Sequence, residues 1–161
     1  MVGRTLFTDM DALTGSAEAT KKVMGGMAEH FAGPPSMSMG TVDWHFQGPA
    51  APVATPVSRV TIVPIKPGAQ GAIMTKNMIE TIEKGLDDPA MAGLIEVATI
   101  FSGDNLISRS LFTDAKSLEA SVEVQGKVMG AMKEHFAGPP TRLSGEVAWV
   151  HDNVKASRVT I

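Results

Sequence analysis

The chain has 161 residues, a formal net charge of −3, no cysteine and no tyrosine. With 43% hydrophobic and 19% charged residues it has enough apolar surface to build a core, which excludes a disordered tail. The acidic balance argues against a nucleic-acid partner, and the missing thiols exclude disulfides and thiolate metal sites. No apolar run reaches the ~18 residues of a membrane span, and the start MVGRTLFTDMD lacks the apolar stretch of a signal peptide. The expectation is a soluble, cytoplasmic protein.

An internal repeat dominates the sequence. Residues 4–46 match 109–151 at a constant offset of 105, with RTLFTD answering RSLFTD and KKVMGGMAEHFAGPP answering GKVMGAMKEHFAGPP. In chain order, residues 3–8 predict a strand. A helix with the apolar stripe Leu13, Ala17, Met24, Met27 and Phe31 follows, closed by Gly33-Pro34-Pro35. A strand over 41–46 carries Trp44, and a Pro/Ala-rich linker occupies 48–57. The β-branched run Val60–Ile65 predicts a strand. Ala69–Leu86 has helical spacing and stops at Asp87-Asp88-Pro89. Leu94–Phe101 and Leu106–Phe112 predict a hairpin turning at 102–105. Asp114 is a good N-cap for a helix striped by Leu118, Val122, Met129, Met132 and Phe136, with Gln125 in the gap. Gly138-Pro139-Pro140 ends it, and a last strand is expected over Glu146–Val150.

Residues 58–152 thus spell one complete β-α-β-β-α-β unit, the ferredoxin-like pattern, in an α+β fold. Residues 1–47 hold only the strand-helix-strand second half of another. Ser157–Ile161 repeat Ser58–Ile62, the sequence of a first strand. Either 155–161 complete the partial copy by inserting Arg158–Ile161 between strands 3–8 and 41–46, a permuted duplication, or the chain is cut from a longer tandem. Val60 and Ile62 share one side of their strand, and Val147 and Trp149 one side of theirs. A sheet apolar on both faces expects a second sheet against it, and hence self-association.

The layout resembles a known family. Phe112-Thr113-Asp114 before a long helix, then Gly138-Pro139-Pro140, then Gly145-x-Val147-x-Trp149 are similar to the dimeric α+β barrel superfamily, closest to its antibiotic-biosynthesis-monooxygenase-like group. The resemblance implies two sheets packed face to face around a cavity, a homo-oligomer, and a small apolar or aromatic ligand. Its members include cofactor-free oxygenases, isomerases and haem-degrading enzymes. Members often carry a histidine roughly where Ser121 stands here.

Several residues are candidates for chemistry. His30 and His135 sit in the repeated Glu-His-Phe-Ala-Gly-Pro-Pro. They read as cavity-edge bases, as axial ligands should haem bind, or simply as helix-end histidines favoured by the dipole. His151 stands where the other copy has Phe46. Arg109, repeated as Arg4, falls across the hairpin from Ala98 and diagonal to Glu96. Its face is the more polar one, so it points away from the helices, either to grip an anionic or carbonyl group or to form an ion pair. Trp44 and Trp149 line a pocket or fill the core. The methionines are adaptable packing, and no metal-binding spacing occurs. Without haem no cofactor is expected. Two functions compete: a cavity protein, such as a cofactor-free oxygenase or isomerase, and a non-catalytic assembly module with a filled barrel. A cavity of about 300 Å3 or more favours the first.

Overall fold

The computed structural model describes residues 5–34 and 36–148. The chain divides between Ser38 and Met39 into two compact units, each taken by itself.

In the first unit, helix α1 (Met10–Gly15) begins where Asp9 Oδ1 accepts the Ala12 N–H at 2.8 Å and Asp9 Oδ2 accepts the Thr8 hydroxyl at 3.0 Å. These bonds, the Ala12 one foremost, favour the charged carboxylate and hold Asp9 below its ordinary range. Ser16 interrupts the helix, α2 (Ala17–Gly26) continues it, and a 3-10 turn over Ala28–His30 closes it. None of these helical residues is buried. The strand expected over 3–8 is not found at Thr5–Phe7, which have no regular structure, and Leu6 is 60% exposed. A strand needs a neighbour for its backbone N–H and C=O groups, and no described strand pairs with these residues.

The second unit is one five-stranded antiparallel sheet: β1 (Val42–Gln47), β2 (Val57–Pro64), β3 (Leu94–Ser102), β4 (Asn105–Phe112) and β5 (Thr141–Glu146). The order β1-β3-β4-β2-β5 contains the ferredoxin-like order of fourth, first, third and second strand in β5, β2, β4 and β3. β1, from the first repeated segment, is added outside β3. β3 and β4 form the expected hairpin, turned by Gly103 at φ 57°. In β1 the register slips at Asp43, whose carboxylate instead accepts the Phe101 N–H at 3.0 Å.

One expectation about strands needs correction. The last strand, expected to begin at Glu146, begins at Thr141 and ends at Glu146, pairing with β2 from Ile62↔Thr141 to Val57↔Glu146; of the expected range, residues 149 and 150 lie outside the described ones. All six of its residues are exposed, so the free edge of β2, not an apolar pattern, makes this strand. Strand 41–46, expected beside a first strand of its own copy, has β3 as its partner among the described residues. The insertion of 158–161, together with Arg4, Trp149 and His151, lies outside the described residues.

The helices cover one face of the sheet. The long helices expected over 69–86 and 114–136 are each broken. The first becomes α3 (Ala69–Ile73) and α4 (Lys76–Leu86), restarted by a Thr75 side-chain cap. The second becomes α5 (Ala115–Ala120), α6 (Val122–Ala131) and a 3-10 turn over Lys133–His135. These three repeat the elements of the first unit at the same offset. Asp114 caps α5 as Asp9 caps α1, accepting Ser117 N–H at 2.8 Å. α4 and α6 run so close at Gly85 that a Cβ there would lie 2.6 Å from Val128 Cγ2.

Two apolar clusters fill the space under the helices. One gathers Leu86, Met91, Leu94, Val97, Phe112 and Leu118, among others, and the second Val63, Ile65, Ile73, Phe101, Leu106 and Met132. No helix among the described residues is long and apolar enough to cross a membrane.

Candidate functional site

The strand registers explain why there are two clusters. On the helix-facing side, Val63, Leu106 and Phe101 form one apolar row, and Val57, Phe112 and Leu94 another. Between them lie two rows that break the pattern. One runs Trp44, Thr99, Ser108, Thr61 and Arg142, and the next Phe46, Val97, Ser110, Arg59 and Ser144. Short polar side chains here cannot fill the volume that leucine or phenylalanine fills on either side.

The result is a cavity of about 80 Å3 between the sheet and helices α3, α4 and α6. Its apolar wall includes Ile73, Ile82, Leu86, Val128, Met129 and Trp44. Its polar patch is Thr61, Thr99, Ser108, Ser110, Gln125 and Arg142. The Trp44 ring stacks on Phe46 with centroids 6.0 Å apart. This cavity lies on the helix side of the sheet. It is smaller than the ~300 Å3 of a drug-sized site. Three methionines, Met74, Met129 and Met132, stand in its wall, and such side chains repack readily.

Arg59 lies directly behind the polar patch and is only 7% exposed. Its guanidinium donates to the Leu118 carbonyl at 3.2 Å, to Ser121 Oγ at 3.4 Å and to Gln125 Oε1. Ser121 is fully buried and donates to the Leu118 carbonyl at 2.6 Å. The arginine thereby ties the break between α5 and α6 to the sheet. Burial, and then the nearby Arg142 cation, push the Arg59 guanidinium below its ordinary range. Gln125 Nε2 is buried and has no hydrogen-bond partner among the described residues.

The other candidates lie elsewhere. Arg109 and Glu96 do meet, Nη1 to Oε1 at 2.8 Å, with Ser58 Oγ accepting from Arg109 Nε at 3.3 Å. They stand on the open face, away from the helices and the cavity. Arg109 is in register with Ala98 and Val60, and His45 beside Ala98 brings its Nε2 to 3.6 Å from Glu96. The apolar residues of this face, Val60, Ile62, Ile100, Ile107 and Leu111, are only partly buried, and Leu143 is 45% exposed. His135 stands in the 3-10 turn after α6, 3.5 Å from Glu134, and does not line the cavity. His30 belongs to the first unit and is exposed beside Glu29. The cavity is far smaller than a tetrapyrrole and no described histidine lines it, so its residues do not fit haem. Among the described residues no three acidic or histidine side chains gather to hold a metal ion.

Sequence reasoning missed Arg59, Arg142 and the serines of β4. The signal was present: Val57, Arg59, Thr61 and Val63 alternate on one side of β2, and Leu106, Ser108, Ser110 and Phe112 on one side of β4. Both read apolar, polar, polar, apolar on the core side.

No protein-family profile matches this sequence, and no curated protein matches it. Solved structures do. A proposed monooxygenase from Fusobacterium nucleatum subsp. nucleatum overlays with a TM-score of 0.59 at 13% identity, covering 84% of this chain and 64% of that one. This chain therefore spans less than two thirds of that structure's length. A protein of unknown function from Nitrosomonas europaea (TM-score 0.48, 13% identity, 62% of this chain and 96% of that one) is looser. So is a proposed antibiotic biosynthesis monooxygenase from the same organism (0.47, 14%, 65% and 95%). Strand order, helix placement and the Fusobacterium overlay agree: the chain has a ferredoxin-like α+β fold, similar to that of this proposed monooxygenase.

Proposed function

We propose that the chain binds a small, mostly apolar molecule in the cavity beneath α4 and α6. The observation that carries this is the pair of polar rows set between two apolar clusters. A strand face evolved only for packing has no reason to place Thr61, Thr99, Ser108 and Ser110 together at its centre. Among the described residues, no histidine, aspartate or glutamate lines the cavity, and its described wall supplies no ordinary general base. Oxygenation, the activity named for the neighbouring structures, is the reaction to assay first, with dioxygen as the oxidant and the bound molecule itself as the source of the electrons that reduce it. Native mass spectrometry of the purified chain, read again after denaturation, tests the binding. An extra small-molecule mass supports it. A ligand-free chain that takes up no small phenol, acid or alcohol at millimolar concentration refutes it.

A second observation favours self-association. The open face presents Ile62, Ile100, Ile107 and Leu111 around Arg109, and such faces in this fold pack against another sheet. We read it as the contact between two copies of the chain. Ile107→Lys should then give a monomer where the parent gives a dimer or larger. A parent chain that is already monomeric removes this reading.

A further inference from the structure

The cavity patch is rich in donors, carries positive charge, and among the described residues has no acid. Arg142 lines it, and Arg59 stands behind Ser110, its partner across the β2–β4 ladder. All three acceptors of Arg59 are neutral: a carbonyl, a hydroxyl and an amide oxygen. A buried cation without a counter-ion is costly, and here a second arginine adds repulsion. Gln125 sharpens the point. Its Oε1 is engaged by Arg59, which fixes the amide orientation, and leaves Nε2 as a buried donor without an acceptor among the described residues. Two missing partners, a negative charge for the arginines and an acceptor for the amide, are met by one chemical group.

We propose that the occupant of the cavity is a small apolar carboxylic acid bound as its anion. The carboxylate accepts from Gln125 Nε2 and Arg142 in the field of Arg59, and the hydrocarbon lies against Ile82, Val128 and Met129. This rests on the cavity-binding reading and narrows it to one ligand class. The volume of about 80 Å3 is roughly half of a cavity that takes benzene, about 150 Å3, so short or branched acids fit best.

The test compares propionate with propan-1-ol, which share a carbon skeleton and are smaller than benzene, by calorimetric titration of the full chain at pH 7. The acid should bind at least tenfold more tightly. Gln125→Glu places a carboxylate beside Arg59 in the protein itself. It should erase that preference, bringing the acid and the alcohol to within threefold of one another. Arg142→Gln, on an exposed edge strand, should weaken the acid severalfold more than it weakens the alcohol. If the alcohol binds as tightly as the acid, or Gln125→Glu keeps the acid preference, the anion inference falls and the cavity reading stands. If neither probe binds, the cavity reading fails and takes the inference with it.

Discussion

The repeated Leu-Phe-Thr-Asp offers an internal control on what packing contributes. Phe112 is fully buried among Leu86, Met91, Leu94, Val97 and Leu118, whereas Phe7, at the matching place, is 36% exposed and lies in no strand. Phe112→Ala removes a core ring, which costs about 3–5 kcal/mol. At about 4 °C per kcal/mol for a unit of this size, Tm should fall by roughly 12–20 °C. Phe7→Ala should cost no more than about 0.5 kcal/mol, a shift of about 2 °C or less. Differential scanning calorimetry of the two single variants in the full chain reads both. Equal losses would refute the reasoning, because they would mean that Phe7 is packed in solution as Phe112 is.

Three further outcomes follow from particular contacts. Hydrogen bonds from Ser117 and Thr113 hold the Asp114 carboxyl below its ordinary value. Its contribution to stability is thus complete above the unfolded pKa of about 3.9 and is lost as pH falls through the lower folded value. Asp114→Asn should flatten the acid limb of urea-unfolding midpoints measured between pH 7 and pH 2, and an unchanged limb would contradict the cap. Glu96 and Arg109, each about a quarter exposed or less, should show a coupling of about 1 kcal/mol in a double-mutant cycle with Glu96→Gln and Arg109→Gln; no measurable coupling would show that the contact carries no stability. A Cβ on Gly48 would run into the Leu94 carbonyl. Gly48→Ala should cost about 1–3 kcal/mol and speed amide exchange through Val42–Gln47, and unaltered protection there would show that β1 is held by other means.

Much of the fold was legible because its signals are local. The β2, β3 and β4 runs, the hairpin at Gly103, the Asp114 cap and the face of Arg109 and Glu96 all follow from residue pattern and pleat alternation. The candidate cavity was not legible in the same way. Gln125 was visible as a gap in an apolar stripe, but Arg59 and Ser110 become neighbours only when β2 and β4 pair in register. The helix breaks at Thr75 and Ser121 were also hidden, since apolar spacing continues across both.

The two repeated segments separate local from tertiary causes. Both build a capped six-residue helix, a break at serine, a ten-residue helix and a 3-10 turn, one copy with no buried helical residue and the other packed through Leu118 and Val124. A helix closes its hydrogen bonds within itself, and a side-chain cap needs only residues three apart, so sequence alone determined these. Strands came out differently. Leu111-Phe112 is strand and Leu6-Phe7 is not, while 42–47 and 141–146 occupy opposite sheet edges from different places in the repeat. A strand's backbone bonds lie on another segment, and which segment is available is decided only by the assembled tertiary structure.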